Sequence, residues 1–267
     1  MGIHPTAIVE DGAQVACGVE IGPYCIVGPH VTLAADVKLH THVVISGHTE
    51  IGARTVIYSH TVIGGEAQMR RANPAHMRVH VGQDNIIREG VTINAGSEGG
   101  HGVTTIGDRC YLMAQSHVGH DGDVGCDVTL SNGVQLGGHS KIEDGVIMGG
   151  LSAVQQFGRV GRYAFISGLS GVTTDVIPYG MAIGLQVRLG GLNIVGLRRR
   201  NIPRANIHAL RAAYRSIFED DTDTIHNNAR RVGDRWLDVP EVQQVVAFIL
   251  KDAKRPICPA RRIGGDR

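Results

Sequence analysis

At 267 residues and 42% hydrophobic, the chain suits one large domain or two smaller ones, and its net charge of +1 offers no global field that argues for nucleic acid. Aromatics make up only 4% while glycine numbers 37, a balance that fits a narrow core of β-branched residues with many tight turns and fits poorly with a large α/β sandwich. The five cysteines, Cys17, Cys25, Cys110, Cys126 and Cys258, form no CxxC pair and suggest neither a disulfide framework nor a thiolate zinc site. Met1 to Pro5 shows no basic region leading into a long apolar run, and no later stretch of about 18 apolar residues could cross a bilayer, so a soluble, cytoplasmic protein is expected.

In chain order the first signal is a six-residue beat. An aliphatic residue falls at Val9, Val15, Ile21, Val27, Leu33, Leu39, Ile45, Ile51, Ile57 and Ile63 without a slip. The beat lapses from Gly64 to His80, a stretch rich in Arg, Asn and Pro, and returns at Val81, Ile87 and Ile93. Val81 lies eighteen residues past Ile63, so an excursion replaces one turn of three hexads. A second lapse, Asn94 to Thr105, contains Gly96-Ser97-Glu98-Gly99-Gly100-His101-Gly102 and reads as an exposed, mobile loop. From Ile106 the beat runs through Leu112, Val118, Val124, Leu130, Leu136, Ile142, Met148, Val154, Val160, Ile166 and Val172. One inward aliphatic per hexad, small residues beside it and Asn, Asp or Gly at the turns predict a mainly β fold, a parallel β-helix whose triangular coils stack to bury a column of Val, Ile and Leu. Hexapeptide solenoids of this kind resemble the left-handed family, an exception to the right-handed crossover rule.

Past Val172 the character changes. Asp175-Val176-Ile177-Pro178-Tyr179-Gly180 closes the solenoid. Pro203 stands in the first turn of a predicted helix with Ile207, Leu210, Tyr214, Ile217 and Phe218 at spacings of three and four. A second helix is expected over Ile225 to Trp236, and a third, opened by Pro240 and Glu241, carries Val242, Val245, Val246, Ile249 and Leu250 on one stripe. The expected division is a left-handed parallel β-helix over 1–190 and an α-helical C-terminal domain over 191–267. The second would cap the open end of the column.

Candidate chemistry centres on Gln115-Ser116-His117-Val118-Gly119-His120-Asp121. A neutral imidazole near its ordinary pKa of about 6.5 suits proton transfer near neutral pH, and a neighbouring carboxylate can fix its tautomer. Val118 is the inward residue, which leaves His117 and His120 outside the column. Stacking by eighteens sets Asp121 against His139, and Gly137 and Gly138 against Gln155 and Gln156, gathering one patch. Two readings compete. Three histidines from neighbouring coils could bind zinc, as in β-helical carbonic anhydrases. Alternatively one histidine acts as base for acyl transfer, with glycine amides as an oxyanion hole and no metal. Glycine at 137 and 138 either admits a substrate carbonyl or serves φ alone. The run Arg198-Arg199-Arg200 is either a solvated helix end or a grip for a diphosphate, since arginine offers fork-shaped donors.

The chain resembles the UDP-N-acetylglucosamine acyltransferases that begin lipid A synthesis. The residues that carry the likeness run from His4-Pro5-Thr6-Ala7-Ile8-Val9 and Ile21-Gly22-Pro23-Tyr24-Cys25-Ile26-Val27-Gly28 through Arg88-Glu89-Gly90-Val91-Thr92-Ile93 and His117-Val118-Gly119-His120-Asp121 to Asn193-Ile194-Val195-Gly196-Leu197-Arg198-Arg199. The resemblance implies a homotrimer that moves an (R)-3-hydroxyacyl group from acyl carrier protein to the 3-position of a UDP-amino sugar. It needs no metal, no nucleic acid, no membrane span and no cofactor beyond the carrier's phosphopantetheine. It makes His120 the general base, Asp121 its support and the Gly138 amide the oxyanion donor. His117 and His139 would contact the sugar, Gln156 the substrate, and Asn193 and Arg199 the nucleotide. Gly168 would be the acyl-chain ruler, with glycine leaving room for a longer chain.

Three positions depart from the family pattern. Met69 stands where an Asp commonly holds the sugar 3-hydroxyl, with Gln68 beside it and Arg71 at the usual basic position. Gln155-Gln156 replaces a His-Gln pair, and Val195 replaces a glutamate. Met69 opens an alternative acceptor, the 3-amino analogue of the sugar nucleotide, because a site without the hydroxyl-binding carboxylate loses a reason to prefer the hydroxyl. The other reading has Met69 packed within its loop and Gln68 making the contact.

Overall fold

A computed structural model describes residues 2–70 and 77–261. Most strands are two residues long, such as Ile26–Val27 and Lys38–Leu39, and each pairs in parallel with the strand one coil on, Ile8↔Ile26 and Ile26↔Val44 for example. They assemble into three sheets of eleven, nine and eight strands, the faces of a triangular prism. The prism is a left-handed parallel β-helix with a helical C-terminal part.

The two-residue strand explains the six-residue beat. Its second residue points inward, so Ile21, Val27, Leu33, Ile45, Leu112, Val118 and Leu136 are at most 2% exposed. Each contributes on the order of 1.5–3 kcal/mol by leaving water. Its first residue faces outward, which is how Glu20 and Lys38 are accommodated. A second inward column lies two residues earlier and holds small side chains, among them Val31, Val43, Thr55, Thr61, Ser116 and Ser140. The buried Thr55 and Thr61 hydroxyls donate to the carbonyls of Gly82 (3.1 Å) and Arg88 (2.8 Å), which offsets their desolvation.

Tyr111–Leu112, His117–Val118 and Asp123–Val124 make one coil, one strand per face. The first corner follows Leu112, the second follows Val118 and the third follows Val124. At each a residue sits at φ near +60°: Gln115, Asp121 and Asp127 in this coil. The turns were expected to take Asn, Asp or Gly, but Arg54, His139, Leu151, Phe157 and Tyr163 occupy the same conformation. Left-handed backbone costs such residues about 1–3 kcal/mol. Contacts along a corner column offset it, as between Tyr24, His42 and His60, whose successive ring centroids are 5.0 Å apart.

Both lapses in the beat leave from the second face, after Val62–Gly65 and Thr92–Asn94, and return on the third, at Arg78–Val81 and Val103–Ile106. Both therefore emerge at the second corner. The parallel strand ladders end with Gly180–Ile183, which meets Arg188–Leu192 in antiparallel fashion.

The helices are α1 (Ile194–Arg199), α2 (Arg204–Phe218), α3 (Ile225–Arg235) and α4 (Pro240–Leu250). The short α1 carries no amphipathic stripe, and hydrophobic spacing does not reveal it. Pro203 is the N-cap of α2, one position before the expected first turn. Ile207, Leu210 and Ile217 of α2 are buried, as are Val242, Val245, Val246 and Ile249 of α4. The chain then rejoins the prism through bridges of Ile257 to Asp175 and Ala260 to Leu189. The cap is also tied down by the buried Arg159–Asp175 pair (2.6 Å), whose guanidinium lies 4.3 Å from the Phe248 ring centre. No helix among the described residues is long and apolar enough to cross a membrane.

Candidate active site

The second corner carries the candidate base. Val118 anchors the strand in the core, Gly119 starts the turn, and Asp121 takes the left-handed position at φ 56° that aspartate tolerates better than most residues. The Asp121 side chain is fully buried. It accepts hydrogen bonds from the Ser97 N–H (3.0 Å), the Ser97 hydroxyl (2.5 Å), the Gly102 N–H (3.0 Å) and His120 Nδ1 (2.9 Å). Burial pushes its pKa up, but the bonds from Ser97, His120 and Gly102 outweigh that and hold it below the ordinary carboxylate value.

Those donors correct the expectation of an exposed, mobile glycine-rich loop. Ala95, Gly96 and Ser97 are buried and only Glu98 to His101 face outward. A buried carboxylate is too costly to leave unpaired, and the loop folds over to pair it. Gly100 passes so close that a Cβ there would stand 2.3 Å from the Asp121 carboxyl carbon.

With Nδ1 donating to Asp121, His120 keeps its lone pair on Nε2. That nitrogen faces the next coil, where a Cβ on Gly138 would lie 2.5 Å from it. Gly138 has no positive φ, so approach to His120, and not backbone conformation, is what requires glycine here. The corner turn closes by Ser140 N–H donating to the Gly137 carbonyl (3.2 Å), which leaves the Gly138 N–H outside the turn's own bond.

His139 completes the corner column. Its ring stands edge-on to His120 at 4.9 Å and stacks on Phe157 at 4.5 Å, with Lys254 Nζ 3.8 Å from the Phe157 centre. Burial lowers the His139 pKa; Asp121 opposes this, while His120 and His101 add to it. His117, on the second face, has Nδ1 2.7 Å from the Thr92 hydroxyl. Its pKa is lowered by burial and then by His120. The three histidines considered for zinc are not grouped as a ligand set. Among the described residues, the candidate ligand atoms that do converge belong to His101, Asp121 and His139, within 4.8 Å of one another.

Gln155 and Gln156 lie one coil further on, both exposed. Arg255 reaches back to them, its Nη1 donating to Gln155 Oε1 (2.7 Å) and its Nη2 to the Gln156 carbonyl (2.9 Å). Gln68 and Met69 are exposed at the start of the first excursion, Met69 at 46%, so Met69 is not packed into its own loop. Arg71 lies outside the described residues.

The other expected residues sit elsewhere on the chain. Asn193 caps α1, accepting from the Gly196 N–H (2.9 Å) and donating to the carbonyl of Tyr163 (3.0 Å), a third-corner residue. Arg199 is exposed in the last turn of α1. Gly168 is exposed on the first corner, three coils beyond the His120 coil. One chain therefore brings together His117, His120, Asp121, Gly138 and His139, and leaves Gly168 at the first corner and Asn193 and Arg199 on α1. Ser97, His101, Thr92 and Phe157 were not singled out from sequence. Only Phe157 had a usable signal, eighteen residues past His139.

Comparison with known proteins identifies the family. A family model described as UDP N-acetylglucosamine O-acyltransferase, domain 2, matches residues 175–258. The acyl-[acyl-carrier-protein]--UDP-N-acetylglucosamine O-acyltransferase of Agrobacterium fabrum is 48% identical over 97% of this chain and 96% of its own length. That of Rhizobium etli is 48% identical over 97% and 95%. A crystal structure of a UDP-N-acetylglucosamine acyltransferase superposes with a TM-score of 0.94 at 35% identity, covering 98% of this chain and all of that one. On this identity, spanning both the prism and the helical cap, the chain belongs to the UDP-N-acetylglucosamine O-acyltransferase family.

Proposed function

We propose that the protein transfers an (R)-3-hydroxyacyl group from acyl carrier protein to the 3-position of UDP-N-acetylglucosamine, the first step of lipid A biosynthesis. The observation that carries this reading is the His120–Asp121 bond (2.9 Å), which leaves Nε2 as the acceptor next to Gly138. His120 Nε2 takes the proton of the sugar 3-hydroxyl as that oxygen attacks the thioester carbonyl carbon. The carbonyl oxygen becomes an oxyanion that the Gly138 N–H stabilises. Asp121 holds the imidazolium so formed. Collapse breaks the C–S bond, the phosphopantetheine thiolate leaves, and His120 returns the proton to sulfur. His117 and His139, kept largely neutral near pH 7, hydrogen-bond the sugar, with Gln156 and Gln68 further along the same edge. No metal or other cofactor enters these steps.

A homotrimer in the cytoplasm is part of the proposal. It is supported by the separation, within one chain, of the base on the second corner from Asn193 and Arg199 near the third. A neighbouring copy would bring its α1 to the nucleotide. The functional boundary is placed at 190/191, with the acyl-transfer groups on the prism. Gly168 serves as the ruler: three coils at about 4.8 Å each give a span of roughly 14 Å for the acyl chain. A Cβ at Gly168 would meet the Gly150 carbonyl at 3.2 Å, so a longer side chain there must project into the surroundings.

Transfer to the 3-amino sugar rests on a separate observation. Met69 is exposed, and its thioether is a weak acceptor where a carboxylate would hold the hydroxyl. The purified protein, given hydroxyacyl carrier proteins of several lengths with the 3-hydroxy or the 3-amino sugar nucleotide, separates the two. Ester product is expected, and amide alone would replace the first reading by the second. Gly168→Met is expected to shorten the preferred acyl chain, and an unchanged preference removes Gly168 as ruler.

A further inference from the structure

The glycine-rich loop does more than pair Asp121. It also brings His101 over the corner, where its ring lies 6.3 Å from that of His139 and 22° from parallel to it, with Asp121 beneath both. His101 Nδ1 is 3.3 Å from Asp121 Oδ1, and His139 Nε2 is 3.8 Å from Asp121 Oδ2.

We propose that His101, Asp121 and His139 form a binding site for a borderline divalent cation of the Zn2+ type, and that the ion inhibits the enzyme. Around a tetrahedral ion with bonds of about 2.0–2.1 Å, neighbouring ligand atoms stand about 3.3–3.4 Å apart. The His101 edge, to Asp121 Oδ1, already has that length, the His139 edge, to the other carboxylate oxygen Oδ2, is slightly longer, and one ligand atom from each residue lies within 4.8 Å of the other two. Closing the site needs a shift of His101, whose side chain is 55% exposed on its loop. Two imidazoles and one carboxylate select Zn2+ and its neighbours over Mg2+ or Ca2+, which prefer all-oxygen shells. The exposed side of His101 leaves room for water at a fourth position. The ion would replace the proton that His101 shares with Asp121 Oδ1. The backbone donors of Ser97 and Gly102 could stay, but positive charge on the carboxylate would oppose formation of the His120 imidazolium and slow proton transfer.

The site shares Asp121 and His139 with the reading of function above, so binding is tested apart from turnover. Full-length protein without substrates is titrated with Co2+, followed by its visible absorption, and with Zn2+ by calorimetry. Saturable binding of one ion per chain is expected, weakened at least about tenfold in His101→Ala, since loss of a ligand should cost no less than loss of a supporting contact. In the acyl-transfer assay Zn2+ is expected to inhibit reversibly, with chelator restoring the rate. The concentration for half inhibition, taken relative to each variant's own uninhibited rate, should rise at least about tenfold in His101→Ala. No binding at submillimolar Zn2+ overturns the proposal. So does equal affinity of wild type and His101→Ala, which would place the ion on other histidines. Failure of the acyl-transfer reading would show as absent turnover with Co2+ binding intact.

Discussion

The second and third corners of the prism share one backbone and do opposite things with it. Along the third, Arg54 meets Asp84 at 2.6 Å and Arg109 meets Asp127 at 2.9 Å, left-handed residues stacked in an exposed ladder of alternating charge. The bond from Arg54 lowers the Asp84 pKa, yet water screens both partners and the ladder adds little. Along the second, Asp121, His139 and Phe157 occupy the equivalent positions, but the loop through Ser97, Gly100 and Gly102 folds over Asp121. Burial there makes each polar contact consequential. The same turn is a solvated edge where nothing covers it and a reactive site where a loop does.

His120→Ala should break the second corner most severely, lowering kcat about 10²–10⁴-fold with circular dichroism unchanged. Asp121→Asn tolerates the left-handed backbone, and should lose activity of similar order because the amide can also present the wrong partner to His120 Nδ1. Retained activity in either variant would remove the proposed base.

Gly100→Ala comes next. Its Cβ would force the loop off Asp121, and a destabilisation of about 1–3 kcal/mol, read from chemical denaturation, should accompany a fall in kcat. An unchanged variant would mean that the loop does not hold the carboxylate.

A smaller effect concerns pH. His117 and His139 have folded pKa values below the ordinary value. Their contribution to stability is present above the unfolded value of about 6.5 and is lost as pH falls through the folded values, because the unfolded chain takes up protons first. The denaturation midpoint should therefore drop between about pH 7.5 and about pH 5.5, and the double substitution His117→Gln with His139→Gln should flatten that slope. A slope unaltered by the double substitution would assign it to other groups. Asp121 adds its own loss only nearer its unfolded value of about 3.9. The smallest effect is expected on the third corner, where Arg54→Ala should leave both melting temperature and kcat within error; a clear loss in either would end the contrast between the corners.

Much of this molecule was legible in the order of residues alone. The hexad beat determined the column from Val9 to Val172 and the eighteen-residue stacking that sets Asp121 beside His139, because a two-residue strand and its turn repeat a local geometry. The stripes of Ile207, Leu210 and Ile217, and of Val242, Val245 and Ile249, marked two of the helices for the same local reason. Tertiary structure alone decided that Ser97 and Gly102, 24 and 19 residues before Asp121, would saturate its carboxylate, and that His101 would stand over it. It alone decided that Arg255 would reach Gln155 and Gln156 a hundred residues away. Those segments carry no period, and their conformation follows from what the buried charge and the corner column require of whatever chain passes over them.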